Sequence, residues 1–210
     1  MTETDVFLIQ KLEFKRLVLL YGNPIKLENC KNKSWKIGPK LIIKLSGDTN
    51  LFNFSDFDFF DLVRFGNWNL QRSFGRFYCM GRLGLFKYEN KIWFHRYILQ
   101  DIFVQDSNLV TDHIDHIGTF NYLSNLRVAT RSQNLANMYK LNIVKGIDRT
   151  FVFKGVSKYA KNRWRVKFSF GGVLIFNGIF KNEIEAACKY DELALKYHGE
   201  FAKLNFPITN

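Results

Sequence analysis

Cysteine is scarce in this chain, and long apolar runs are absent. Three cysteines occur among 210 residues, far apart and odd in number, which argues against a disulfide framework and against a cysteine-rich zinc site. We therefore expect a reducing compartment. No apolar run approaches the ~18 residues that span a bilayer, and the acidic first residues lack the order of a secretion signal. These absences predict an intracellular protein with no membrane partner.

Acidic residues are few relative to basic ones. Asp and Glu number 19 against 31 Lys and Arg, which gives a formal net charge of +12. A basic excess of this kind is typical of proteins that bind nucleic acid. Hydrophobic residues make up 47% and aromatic residues 17% of the chain. This content excludes wholesale disorder because it is enough to bury a core.

Patterns along the first 153 residues predict a mixed α+β chain. The first 50 residues mix charged and β-branched positions, as in 41–45, and predict a β-rich extension of short strands. Ser55-Asp56 predicts a cap for a short helix over 57–64, and Gly66-Asn67 predicts a turn. The other predicted elements are a strand pair at 77–86 and 92–94 joined at Glu89-Asn90, a strand at 125–130, a helix at 131–139 and a linker at 141–153.

Residues 154–207 carry the clearest pattern. Residues 163–170 alternate basic or polar positions with Trp, Val and Phe. This period of two predicts a half-buried strand with a basic outer face. Gly171-Gly172 predicts a hairpin turn, and 173–176 the returning strand.

A helix is predicted after the hairpin. Asn182 stands three residues before Glu185, which is the spacing of a capping box, and Gly199 is a typical helix terminator. These signals predict a helix over 183–198, and the unit as a whole is expected to be three antiparallel strands packed on one helix. The predicted apolar stripe of the helix consists of Ile184, Ala187, Cys188 and Leu195.

The charge of this C-terminal unit is divided between its two sides. Seven basic residues and no acidic residue occur between 154 and 181, whereas the acids of the unit lie on or beside the predicted helix. A positive sheet face suits a phosphate backbone, and strands can enter the major groove of DNA. The alternative is a merely solvated charged face.

The same residues resemble a known DNA-binding module. The strings R-W-R-V-K-F at 163–168, E-A-A-C-K-Y-D-E-L-A at 185–194 and H-G-E-F-A-K-L-N-F at 198–206 are similar to the APETALA/ethylene-response-factor domain. The resemblance covers 154–207 and implies a three-stranded sheet that reads double-stranded DNA. Several contact positions differ from those of plant members, so the target sequence does not carry over. The positions that the resemblance implies face DNA are Lys154, Ser157, Tyr159, Arg163, Arg165, Lys167 and Ser169.

A second group of polar residues precedes this unit. Two of the four histidines occur in D-H-I-D-H at 112–116, and N-L-R-V-A-T-R-S-Q-N follows at 125–134. Phosphodiester hydrolysis needs oxygen ligands for a divalent cation and a neutral imidazole that takes a proton from water. Asp112 and His113 would point in opposite directions on a strand, and Asn134 on the next helix could supply a second ligand. Alone, such a pair is more often structural.

The wider string resembles the HNH homing endonucleases of the zinc-free phage and intron type. The similarity rests on D-H-I-D at 112–115, N-Y-L-S-N-L-R-V-A-T-R-S-Q-N at 121–134 and F-H-R-Y-I-L at 94–99. It implies a ββα-metal nuclease domain over 51–140. The resemblance implies His113 as general base, Asn125 as the residue that closes the turn and orients the base, and Asp112 and Asn134 as ligands of Mg²⁺ or Mn²⁺, with no zinc.

This chain departs from the HNH pattern in the turn between the two strands. His116 stands where the family usually has glycine, and Ile117 and Phe120 stand where it usually has asparagine. His95 matches a position that is more often structural, and His198 in the C-terminal unit is predicted to pack.

The sequence thus predicts a DNA endonuclease of the mobile-element kind. The C-terminal sheet would anchor the chain on double-stranded DNA, and no obligate protein partner and no cofactor besides the metal are expected. A non-catalytic DNA-binding regulator with a decayed nuclease unit is the alternative, and the altered turn motivates it. An RNA-binding protein is a third reading, which ranks last because most phenylalanines follow core-like patterns.

Overall fold

The structure is a computed structural model of the chain, which divides into two compact units, Met1–Ala129 and Thr130–Asn210. Within the residues that it describes, five α-helices combine with several small sheets, which confirms the predicted α+β class. The described residues are 2–47, 49–73, 76–83, 91–99, 108–138, 143–144, 147–148 and 153–207. None of the helices in these segments is long and apolar enough to cross a membrane.

The first unit begins with a helix, α1 (Glu3–Tyr21). The prediction of short strands is therefore wrong for this part of the first 50 residues. Thr2 caps the helix by accepting a hydrogen bond from the Asp5 amide, and the Asp5 carboxylate accepts one from the Thr2 amide. This capping box starts a helix in a segment whose composition alone does not specify one.

A buried glutamine explains why the helical period of α1 is hard to see. The buried face of the helix consists of Val6, Gln10 and Leu17, so a polar residue interrupts the apolar stripe. The Gln10 amide nitrogen donates to the Phe52 carbonyl at 2.6 Å and to the Thr119 hydroxyl at 2.8 Å. Because these bonds replace water, Gln10 can be buried where the period predicts an apolar residue.

A five-stranded sheet follows in the first unit. Its strands in spatial order are β1 (Ile25–Leu27), β2 (Ser34–Ile37), β3 (Lys40–Lys44), β4 (Phe52–Asp56) and β9 (Phe120–Asn121). β3 corresponds to the strand predicted at 41–45. β9 pairs with β4 in parallel and sets Asn121 opposite Ser55. Phe54 and Phe120 meet edge to face at 5.2 Å between ring centroids. Asn121 is thereby fixed to a buried sheet.

A second sheet of three strands is built from β5 (Gly66–Ser73), β6 (Arg76–Leu83) and β7 (Ile92–Trp93). Gly66-Asn67, predicted as a turn, instead begins β5, and that prediction is wrong. The strand predicted at 77–86 corresponds to β6, and the predicted turn Glu89-Asn90 lies outside the described residues. Phe94, predicted as strand, is the first residue of helix α3 (Phe94–Ile98).

The helix predicted over 57–64 is a 3-10 turn, Phe57–Phe59, followed by helix α2 (Phe60–Phe65). Neither segment has a side-chain cap. Asp56 does not act as the predicted cap because its carboxylate pairs with the Lys40 ammonium and accepts the Leu123 amide at 2.8 Å.

Two strands and a helix form the segment with the HNH resemblance. β8 (Leu109–His113) pairs with β10 (Leu126–Thr130), and helix α4 (Arg131–Asn137) follows directly. The strand predicted at 125–130 is confirmed. The predicted helix at 131–139 is confirmed through 137, and Tyr139 lies outside the described residues. The boundary between the two compact units falls after residue 129, inside the predicted nuclease domain. The nuclease boundaries at 51 and 140 stay a prediction.

The predicted linker at 141–153 contains a short antiparallel pair. The two strands are β11 (Ile143–Val144) and β12 (Ile147–Asp148). Most of the other linker residues lie outside the described segments.

The remainder of the second unit matches the predicted sheet and helix. Strands β13 (Val156–Ala160), β14 (Arg163–Phe170) and β15 (Val173–Phe180) form an antiparallel sheet, and helix α5 (Glu183–His198) packs on it. The returning strand continues four residues beyond the predicted end at 176. The sheet contributes Val156, Val166 and Phe168 to the core.

The buried face of α5 differs from the predicted stripe. Ile184, Cys188 and Leu195 are exposed, and Ala187 is the one member of the predicted stripe that is buried. The residues that α5 buries are Ala186, Ala187, Tyr190, Asp191, Leu193 and Ala194. The cap is Asn182 as predicted, but its side chain accepts from the Ile184 amide at 2.8 Å, whereas the capping box was predicted with Glu185.

Candidate functional site

The outward face of the C-terminal sheet carries the predicted basic residues. Strand alternation buries Val166 and Phe168 against α5 and directs the residues between them to the opposite face. Arg163 and Lys167 on this face are exposed, and Arg165 is half-buried. No Asp or Glu occurs anywhere from residue 154 to residue 181. The face therefore presents three cations, and the segment that forms it contains no carboxylate.

β13 adds two of the predicted contact residues to the same face. Ser157 pairs with Arg165 in the strand register, and its hydroxyl donates to the Arg165 carbonyl at 3.2 Å. The Arg165 guanidinium lies 5.7 Å from the centre of the Tyr159 ring, within the range of a cation–π contact. This contact places the Arg165 guanidinium beside the Tyr159 ring on the outward face.

β15 contributes two outward residues that the sequence did not single out. Asn177 lies opposite Lys167, and Ile179 lies opposite Arg165. Both are exposed. The polar Asn177 between apolar neighbours was a signal that the alternation continues past residue 176.

Lys154 lies outside the three strands of the sheet. Its ammonium donates to the backbone carbonyl of Ala136, and its amide donates to the Asn205 side chain at 2.6 Å. Burial, with a contribution from the nearby Lys203, lowers the pKa of Lys154 to about 8. The geometry gives Lys154 a structural contact in the second unit.

Asp112, the predicted metal ligand on β8, is buried in an ion pair. Its side chain is 2% exposed, and the Arg127 side chain is 13% exposed. Two guanidinium nitrogens of Arg127 lie 2.9 Å from the same carboxylate oxygen, Oδ2. Arg127 therefore supplies a positive charge to the carboxylate from the neighbouring strand β10. The sequence reasoning missed this arginine, although it stands in the N-L-R string.

His113, the predicted general base, is the last residue of β8 and is buried. Its Nε2 lies 2.9 Å from the Asn121 carboxamide oxygen, and the Asn121 amide in turn donates to Asn53. Burial lowers the pKa of His113 to about 4, so the imidazole is neutral at neutral pH. Asn121 is a further residue that the sequence reasoning did not assign.

Two rings pack beside the His113 imidazole. The His95 ring from α3 lies 5.0 Å from the His113 ring, and the Tyr78 ring from β6 lies 6.1 Å from it. A Cβ atom on Gly118 would lie 2.4 Å from the Tyr78 ring, so this close packing requires glycine. Burial places the pKa of His95 well below its usual value. The contacts of His95 with Tyr78 and Trp93 fit the predicted structural role.

Asn125 closes the turn between β8 and β10, as the resemblance implied. Its carboxamide oxygen accepts the Asp115 amide at 3.1 Å, and its nitrogen donates to the Phe120 carbonyl at 2.7 Å. His116 adopts a φ of 67°, the left-handed conformation for which glycine is favoured. His116 therefore keeps the backbone conformation that glycine would adopt here, and this conformation costs a residue with a side chain some strain. A catalytic role for Asn125 stays a prediction.

The second predicted metal ligand, Asn134, is half-buried on α4. Carboxylate and carboxamide oxygens are the ligand types that Mg²⁺ and Mn²⁺ take, so the donor chemistry of Asp112 and Asn134 fits such an ion. Asp112 belongs to the first unit and Asn134 to the second, and their pairing stays a prediction. Among the described residues, no three His, Cys, Asp or Glu side chains form a group that could hold a metal ion.

His198, the remaining histidine of the C-terminal unit, packs against aromatic rings. Its ring lies 5.6 Å from the Phe168 ring and 5.5 Å from the Phe170 ring. These contacts agree with the predicted packing role.

Comparison with known proteins gives one partial similarity. The chain is 28% identical over 93 residues to the ethylene-responsive transcription factor WRI1 of Arabidopsis thaliana. The match covers 42% of this chain and 21% of the length of that protein. No protein-family model matches the chain, and no solved structure matches it.

Proposed function

We propose that the chain binds double-stranded DNA through the outward face of the β13–β14–β15 sheet. The observation that carries the proposal is the alternation along β14, which places three cations on one face of a segment without acidic residues. The similarity to a transcription factor supports this proposal, as does the formal charge of +12. The similarity to a transcription factor also favours a regulatory, non-catalytic role over cleavage.

The two kinds of side chain on this face serve different purposes. Arg163 and Lys167 are exposed and can neutralise phosphates with release of counterions, which supplies most of the affinity. Asn177, opposite Lys167, has the hydrogen-bonding groups that read base edges. Ser169 is exposed and follows a register shift after Phe168, so it lies at the end of this face. Arg165, beside the Tyr159 ring, can form the bidentate contact with guanine that specifies sequence.

Alanine at both Arg163 and Lys167 is expected to weaken duplex binding by about 10–100-fold at 0.1–0.2 M salt. Two phosphate contacts are lost, and the slope of log K against log salt concentration falls by about two. Fluorescence anisotropy of a labelled duplex, titrated at several salt concentrations, measures both quantities.

The matched control replaces two cations of α5, Lys189 and Lys196, with alanine. This variant has the same net charge but keeps the sheet face intact. Equal losses of affinity in the two variants would show that net charge alone drives binding, and would contradict the proposed interface.

We propose phosphodiester cleavage as a second candidate function. The observation that favours it is the arrangement at the end of β8, where a carboxylate and a neutral imidazole adjoin a turn closed by Asn125. In this proposal Asn121 holds the His113 ring, and the ring takes the proton of the attacking water. His113 is 6% exposed, so DNA reaches the imidazole only if neighbouring side chains move.

In this second proposal Asp112 would be a ligand of a divalent cation, and Asn134 stays the second ligand that the resemblance implies. Such an ion would stabilise the negative charge that develops at the phosphate. Asp112 already pairs with Arg127, which must share or release the carboxylate for a cation to bind. Nicking of a supercoiled plasmid in Mg²⁺ or Mn²⁺ tests the proposal, and intact plasmid in both ions would overturn it.

A further inference from the structure

A row of amide side chains lies on one face of the β5–β6–β7 sheet. Alternation along β5 buries Trp68, which is 0% exposed, and directs Asn67, Asn69 and Gln71 to the opposite face. Asn67 and Asn69 are exposed. The three amide side chains, which occur at every second residue, point away from Trp68 and do not contribute to the core of the unit.

Basic residues accompany this row of amides. In the register of β6, Arg82 lies opposite Asn67, and Met80 lies opposite Asn69. A cavity of about 320 Å³ is lined by these residues together with Gln71 and Lys91. No Asp or Glu occurs from residue 66 to residue 83. The cavity therefore combines amide donors and acceptors with two cations.

One residue of the same face, Tyr78, packs against the candidate nuclease-like site. Tyr78 lies opposite Gln71, and Trp93 of β7 lies opposite Met80. The Tyr78 ring lies 5.6 Å from the Trp93 ring and 6.1 Å from the His113 ring. Within the first unit, the surface of the amide row thus continues to Tyr78, whose ring contacts the buried His113 at the end of β8.

We propose that this surface is a second contact with duplex DNA, in which Asn67, Asn69 and Gln71 read adenines in the major groove. The inference rests on the proposed DNA binding and adds to it a specificity-determining surface in the first unit. Asn and Gln form bidentate hydrogen bonds with adenine N6 and N7. Same-face residues of a strand are about 6.8 Å apart, which matches two base-pair steps of about 3.4 Å. Arg82 and Lys91 hold the adjacent phosphates.

Selection from a randomised duplex library tests the inference with the full chain. Three proteins are compared: wild type, the triple variant N67A/N69A/Q71A, and R163A/K167A. The wild type is expected to select a site with two separated blocks, one of which contains adenines. The triple variant is expected to lose the adenine preference at two or more positions, by about tenfold each. R163A/K167A is expected to bind more weakly but to keep the adenine preference.

Exposed amides elsewhere provide the control. The variant N23A/N50A should select the wild-type site, and thermal melting should show that the triple variant is folded. An unchanged consensus and affinity in the triple variant would overturn this inference while leaving the C-terminal interface intact. Undiminished affinity in R163A/K167A would instead overturn the proposed interface. Failure of the wild type to retain any duplex would overturn both.

Discussion

Replacement of His113 with phenylalanine is expected to lower plasmid nicking at least about 100-fold and to leave duplex affinity unchanged. Loss of a general base costs about 10²–10⁴ in rate. The ring of phenylalanine takes the place of the imidazole beside His95 and Tyr78, so packing is retained while the proton acceptor is removed. Conversion of supercoiled to open-circular plasmid under single-turnover conditions gives the rate.

The matched control is the same substitution at His95, whose ring lies 5.0 Å from that of His113. If His95 has only a structural role, the variant His95→Phe is expected to nick plasmid at a rate within a few-fold of the wild-type rate. Undiminished nicking by His113→Phe would contradict the assignment of the base. A comparable loss in both variants would contradict the division of roles between the two histidines.

Alanine at Asp112 is expected to cost about 3–5 kcal/mol of unfolding free energy. The carboxylate is 2% exposed and pairs with an arginine that is 13% exposed. Removal of one partner leaves the other charge buried without this counterion, which is among the most destabilising single changes. Urea denaturation followed by tryptophan fluorescence measures the change.

The second-site variant Asp112→Ala/Arg127→Met isolates the cause. Because methionine removes the buried charge and keeps most of the volume, it is expected to recover much of the loss. A loss below about 1 kcal/mol in Asp112→Ala would show that the pair is hydrated and would contradict a buried ion pair. The stability effect also means that lost nicking in Asp112 variants is not by itself evidence for metal binding.

The C-terminal unit could be predicted from sequence because its signals are local. The alternation along β14, the glycine hairpin and the Asn182 cap each depend on neighbouring residues. The buried face of α5 was mispredicted because the small residues Ala186 and Ala194 pack on the sheet, whereas the larger Ile184 and Leu195 remain exposed. A prediction that selects the buried face by hydrophobicity therefore fails where small alanines pack closely against a sheet.

The first unit depends more on contacts between distant residues. Gln10 is buried through partners 42 and 109 residues away, which a local pattern does not reveal. The parallel pairing of β4 with β9 is equally non-local. The sequence did not reveal the row of amides because Gly66-Asn67 has the composition of a turn. In the structure, Asn67 is the first amide of the row on β5.

Residue types at the nuclease-like site could be predicted, but their environment could not. The sequence singled out Asp112, His113 and Asn125, and the structure brings these three close to the end of β8. Burial of the first two and the pairing of Asp112 with Arg127 depend on the packing of β8 and β10. Such burial is a property of the assembled unit and leaves no short motif.

Chemical-shift mapping of the full chain with a selected duplex tests the proposed interface most directly. We expect the largest amide shifts along β14 at Arg163, Lys167 and Ser169, with a further shift at Asn177 on β15. Shifts concentrated on the exposed side of α5, at Glu185 and Glu192, would contradict the claim that the outward sheet face binds DNA. Spectra that duplex DNA leaves unchanged would contradict it as well.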